Sequence, residues 1–97
     1  MLFLIEVNFR QGAPKEEARA AATMLRDRLE KPQTGVEILN AVADVGGGRI
    51  LVLADLSEQA MSDVRSTLEF RSLAAVERII STPVVDAKTT LEAYLGM

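Results

Sequence analysis

Three consecutive glycines, Gly46-Gly47-Gly48, separate two apolar runs, Val36 to Val45 and Arg49 to Leu56. Glycine enters positive-φ conformations without a Cβ penalty, and tight reversals between antiparallel strands need such residues. Both runs are rich in Val, Ile, Leu and Ala, so the stretch reads as a β-hairpin. A phosphate-binding loop would need a following Gly-Lys-Ser/Thr and a helix N-terminus. Neither follows here, because the glycines lead into the second run. Ser57 then provides a helix N-cap, with Glu58 in the first turn.

The rest of the chain arranges itself around that hairpin. Leu2 to Phe9 alternates, with Phe3, Ile5, Val7 and Phe9 on one face and Leu2, Leu4, Glu6 and Asn8 on the other. The all-apolar face is the one expected to meet helices. Pro14 opens a first helix running to Lys31, with Ala18, Ala21, Ala22, Leu25 and Leu29 on its packing stripe and Glu16 and Glu17 in its first turn. Ala60, Met61, Val64 and Leu68 form the corresponding stripe of a second helix, Ser57 to Phe70. After an irregular link, Phe70 to Ala75, the segment Val76 to Val85 reads as a fourth strand. Pro83 assigns that strand to an edge, since proline cannot donate to a ladder. Asp86 caps a short terminal helix ending at Leu95-Gly96.

This order predicts an α+β protein, a ferredoxin-like βαββαβ sandwich. It consists of a four-stranded antiparallel sheet, two helices on one face and an additional C-terminal helix. Ninety-seven residues form a single domain, 1–97. With both helices on one side, the other side of the sheet carries Leu2 and Leu4 without cover. The physical expectation is a homodimer through that face, with Leu91, Tyr94 and Leu95 of the terminal helix clasping the partner's rim.

Composition removes several function classes. The net charge is −3 and the eleven Lys and Arg are scattered among acids, which argues against a nucleic-acid partner. Cysteine and histidine are both absent. The chain therefore has no thiolate nucleophile, no disulfide framework and neither of the commonest transition-metal ligands. We expect no cofactor and no bound metal. Met1 to Ile5 is apolar, but Glu6 ends the run far short of a membrane span, so the expectation is a cytoplasmic protein with no membrane partner.

The opening Met1-Leu2-Phe3-Leu4, the βαββαβ order and the Phe70–Ala75 link into an apolar last strand resemble the dimeric α/β-barrel superfamily. In that superfamily two such sheets pack face to face around a cavity. Within it, the chain looks most like muconolactone-isomerase-like proteins and small bacterial families of unknown function that also begin Met-Leu-Phe. The resemblance implies a class containing cofactor-independent monooxygenases, isomerases, polyketide cyclases and dye-decolourising peroxidases, together with proteins of no known activity. Members that perform chemistry often use His, Trp or Tyr in the cavity. Here His and Trp are absent and the single tyrosine is Tyr94, in the terminal helix.

In such an arrangement Glu6 and Asn8 are the catalytic candidates. Both lie on the polar half of a central strand that would line the cavity. A half-buried carboxylate beside Leu2 and Leu4 would have a raised pKa and could shuttle a proton, while the neighbouring amide could hold a carbonyl or oxyanion. A solvated or cross-strand-paired glutamate is the simpler alternative. Asn40 and Arg78 are candidate ligand-binding residues on the second and fourth strands. Their facing stays open because both strands are apolar on either side of the alternation. Arg78 could equally pair with a neighbouring Glu. Asp44, Arg49 and Asp55 read as edge charges and turn residues.

Two functions remain. One is a protein that binds or transforms a small apolar organic ligand between two sheets. The other is an ACT-like regulatory or structural module that uses the face only to dimerise.

Overall fold

In the computed structural model, residues 1–62 and 73–96 are described. Strands β1 (Leu2–Phe9), β2 (Val36–Ala43), β3 (Arg49–Leu56) and β4 (Val76–Pro83) form one sheet in the order β2-β3-β1-β4. Every pairing is antiparallel. Helix α1 (Lys15–Glu30) follows β1, α2 (Glu58–Ser62) follows β3 and α3 (Ala87–Leu95) follows β4. This strand order is that of the ferredoxin-like sandwich, with β1 and β3 central and β4, carrying Pro83, at an edge.

The hairpin forms where the glycines require it, although β2 stops at Ala43 and not at Val45. Asp44 ends the strand by accepting from the Gly47 amide at 2.8 Å while donating its own amide to the Arg49 carbonyl at 3.0 Å. Gly47 has φ +73°, the value only glycine adopts without strain. Val45 is thereby pushed fully into solvent at the tip.

Helix α1 starts one residue later than Pro14 would place it. Pro14 has φ −55° and ψ 143°, an extended entry, and its carbonyl accepts from Ala18 at 3.0 Å. The proline is thus the N-cap, and Lys15 begins the helix. Ala21 and Leu25 are buried against Val7, Ala75 and Val76, with Ala18, Met24 and Leu29 packed around them. Ala22 is exposed. It shares a side of the helix with Ala18, Leu25 and Leu29, but that side opens onto a groove that all four line, and Met24 packs on the core instead.

Ser57 caps α2 as its sequence indicates, its Oγ accepting from the Ala60 amide at 3.2 Å. Met61 is 37% exposed and so does not join a buried stripe. Val64, Leu68 and the expected link from Phe70 to Ser72 lie outside the described residues. From Leu73 the chain turns into β4, and Ala75, only 1% exposed, sits in the core. Its carbonyl accepts from the Arg10 amide at 2.7 Å. The fourth strand ends at Pro83, two residues before Val85.

Helix α3 begins under the Asp86 cap, whose carboxylate accepts from the Thr89 amide at 3.2 Å. It lays no apolar side on its own body: Leu91, Tyr94 and Leu95 are 60%, 69% and 86% exposed. The molecule is correspondingly long, 52 × 30 × 19 Å, with a radius of gyration of 15.1 Å. A compact chain of this length would have about 12.5 Å.

The tightest backbone approach lies at Gly35, before β2. Its φ is +84°, and an added Cβ would meet the Ser57 Oγ and lie 3.3 Å from the Ala60 Cβ. Gly47 shares the positive φ but faces open space. Gly35→Ala is therefore expected to cost about 3 kcal/mol, combining backbone strain with a lost helix cap. Gly47→Ala should cost about 1 kcal/mol. Chemical denaturation of the two variants checks the order, and equal losses would contradict the packing at Gly35.

Candidate functional site

The cross-strand register sets which side chains share the face away from α1. Across the end of the sheet nearest the glycine turn, Arg49 of β3, Asn8 of β1 and Arg78 of β4 form one row. The next row is Val42, Leu51, Glu6 and Ile80. Beyond it lie Asn40, Leu53, Leu4 and Thr82, and the far end carries Glu37, Asp55 and Leu2. The two middle rows thus hold five aliphatic side chains around Glu6, Asn40 and Thr82, and both end rows carry charge.

All four candidate residues, Glu6, Asn8, Asn40 and Arg78, lie on this open face. For Asn40 the decisive feature is a bulge. The register shifts between Ile38 and Asn40, so Leu39 is the extra residue and Asn40 comes to stand opposite Leu53. A second irregularity, between Asn8 and Phe9, makes Glu77 the extra residue and comes after the Asn8–Arg78 pair, so Arg78 keeps the alternation of Ile80 and Thr82. Simple alternation from the start of β2 could not have given the facing of Asn40.

Glu6 and Asn8 are in direct contact, the Asn8 amide donating to Glu6 Oε2 at 3.4 Å. The other carboxylate oxygen, Oε1, accepts from Arg49 Nη1 at 3.1 Å. Arg49 simultaneously grips Asp44 through Nε and Nη2, both at 3.1 Å. The glutamate is therefore a paired carboxylate, not a solitary acid among leucines. The cluster Asp44–Arg49–Glu6–Asn8 joins the turn to the central strands.

Arg49 is the residue that composition and spacing place wrongly. Read as an edge charge, it stands on a central strand facing Asn8, with its guanidinium bridging two acids. Its position directly after the glycine turn, opposite an acid directly before it, is the signal that points to this pairing. Asp44 and Glu6 push its pKa up, first through the Asp44 hydrogen bonds and charge, with Glu6 adding to them and slight burial opposing. A raised pKa on a cation gives stability that is lost only as pH climbs through the folded value. Since that lies above the ordinary arginine range, the guanidinium stays charged at any working pH.

Arg78 and Asn40 do not join this cluster. Arg78 is exposed and makes no ion pair among the described residues. Asn40 uses its side-chain oxygen locally, accepting from the Ala41 amide at 2.9 Å. Asp55, at the far end, accepts from the amino group of Met1 at 2.8 Å.

Two concavities among the described residues contain none of the four candidates. One, about 910 Å³, is a groove between α1 and the glycine loop, lined by Phe9, Ala13, Leu25, Leu29 and Ile50 among others. The other, about 750 Å³, lies along α1 and is lined by Ala20, Thr23 and Met24 among others. Arg78 lines a smaller concavity of about 270 Å³ along β4, with Val76, Glu77 and Ile79. No group of His, Cys, Asp and Glu among the described residues is arranged to hold a metal ion. No helix among them is long and apolar enough to cross a membrane.

The element order and strand order define an α+β protein of ferredoxin-like architecture. The structure is similar to that of the P2 domain of the chemotaxis kinase CheA, solved in complex with the response regulator CheY from Thermotoga maritima. The TM-score is 0.52 at 19% identity, over 86% of this chain and 96% of that one, which supports the fold alone. A comparison with curated protein sequences yields no match. A family model does match, over residues 1–97, and the chain belongs to that family, a domain of unknown function designated DUF3303.

If Arg49 ties the turn to the central strands, removing its charge loosens the hairpin end and little else. Arg49→Gln is expected to speed amide exchange at Gly47 about fivefold while leaving Val52, in the buried layer, unchanged. Unaltered exchange at Gly47 would mean the backbone turn holds itself.

Proposed function

We propose that this protein works as a cytoplasmic homodimer whose two open sheet faces meet and enclose a small apolar organic ligand. One observation carries the reading. The open face leaves Leu4 37%, Ile80 38% and Val42 52% exposed, and the terminal helix that follows β4 also leaves its apolar side uncovered. Monomeric proteins rarely present contiguous apolar surface of this extent. A four-stranded sheet of eight-residue strands has a footprint of about 500 Å² per copy. Two such faces bury roughly 1,000 Å², the lower limit for a specific interface, and helix α3 brings the total toward the usual range of about 1,600 Å².

In this arrangement Glu6, Asn8 and Asn40 line the enclosed space and Arg78 stands at its rim. Any chemistry would proceed without a cofactor, as in the isomerase- and monooxygenase-like members of the dimeric α/β barrels that the sequence resembles. Glu6 would move a proton and Asn8 would hold a carbonyl. The mutual pairing of Glu6, Asn8, Arg49 and Asp44 supports the second reading, a dimerisation module without a substrate. These polar groups already satisfy one another.

Two measurements separate the outcomes. Sedimentation at micromolar concentration should give a dimer, and Leu4→Asp should weaken it at least tenfold while the monomer fold persists by circular dichroism. A wild-type monomer would overturn the proposal. Equilibrium dialysis with anilinonaphthalene sulfonate should then show one saturable site per dimer, lost in Leu4→Asp. A dimer that takes up no probe would leave the dimerisation module as the function.

A further inference from the structure

Two charged side chains on the open face pair with nothing of opposite sign among the described residues. Arg78 occupies one corner, on edge strand β4 in the row of Asn8. Glu37 occupies the diagonally opposite corner, on edge strand β2 opposite Asp55. Among the described residues neither forms an ion pair or a side-chain hydrogen bond. Three strand spacings and most of the strand length separate them, about 25 Å, so they cannot meet within one chain. The remaining charges of the face are matched: Arg49 by Asp44 and Glu6, and Asp55 by the Met1 amino group.

Burying Arg78 in a face-to-face interface would strip its hydration, which is tolerable only if a carboxylate replaces the water. We propose that the carboxylate is Glu37 of a second copy of this chain. A twofold axis lying in the plane of the interface, perpendicular to the line joining the two corners, exchanges them. Each Arg78 then meets the partner's Glu37, and the contact occurs twice. A single face bearing opposite charges at exchanging corners is self-complementary, as an isologous contact requires. A partner of different sequence would have to supply both an acid and a base at the right separation.

The pairing fixes the orientation of the dimer. An axis so placed makes the strands of the two sheets cross steeply, in the orthogonal class of sheet packing and not the aligned one. It also gives Arg78 a different occupant from a substrate acid, closing the rim with protein charges. This inference rests on the homodimer proposed above.

The test uses the full chain and charge reversal at each corner. Arg78→Glu and Glu37→Arg are expected to raise the dimer dissociation constant at least tenfold each, because each places like charges together twice. Mixed in equal amounts, the two variants should form a heterodimer within about threefold of the wild-type affinity, since both pairs are then restored. The double variant should recover self-association in the same way. Single variants that dimerise like the wild type, or a mixture that fails to associate, would overturn the pairing while leaving the dimer standing. A wild-type chain that is monomeric throughout would remove the dimer itself. Thermal unfolding of each variant checks that the monomer folds. If a reversal prevents folding, Arg78→Gln and Glu37→Gln replace the pair, and strictly additive losses would count against the contact. An acidic ligand at Arg78 is the remaining outcome: Arg78→Glu would then alter ligand uptake, Glu37→Arg would not, and the pairing would be wrong.

Discussion

The structure depends on a central strand that is apolar on both sides. β1 places Ile5 and Val7 toward α1 and Leu2 and Leu4 away from it, with ladder partners in β3 and β4 that repeat the pattern. One layer of helices satisfies only one of those sides. Val7, Ala21, Leu25, Ala75 and Val76 close the helix side into a small core. The other side keeps its leucines and isoleucine at the surface, and the terminal helix does not fold back to cover them. The fold is therefore complete as a chain but incomplete as a hydrophobic object. The proposed pairing of two copies follows from that asymmetry more than from any single residue.

Much of the architecture is legible from local rules. A glycine triplet between β-rich runs gave the hairpin, Ser57 and Asp86 gave two helix starts, and Pro83 marked an edge strand. Each of these rests on short-range chemistry that a sequence displays directly: backbone freedom, capping and a missing donor. Errors appear where a fraction of a turn or one inserted residue decides. Ala22 falls on the packing side of α1 but opens onto a groove, Pro14 caps α1 without entering it, and β2 yields to its turn at Asp44. The bulge at Leu39 is the clearest case, because one extra residue reverses the facing of everything on one side of it. Periodicity cannot detect that, which is why the orientation of Asn40 came only with the register.

The site was half visible for a related reason. Glu6 and Asn8 fall two apart on one alternating strand, so their neighbourhood follows from sequence alone. Their chemistry does not, since it is decided by Arg49, forty-three positions away and brought alongside by the β1–β3 ladder. A carboxylate among leucines and a carboxylate held by a bridging guanidinium are different groups, and only the long-range pairing distinguishes them. The resemblance in fold to the CheA P2 domain adds no role for these side chains, because this architecture carries many functions.

The central claim, that the open face is covered by a second copy, is tested most directly by isotope-filtered nuclear Overhauser measurements on a mixture of labelled and unlabelled chains. The account predicts intermolecular contacts between the methyl groups of Leu4, Leu53 and Ile80 of one protomer and the same face of its partner. Contacts found only within a chain, with Leu91 and Tyr94 resting on their own sheet, would contradict it.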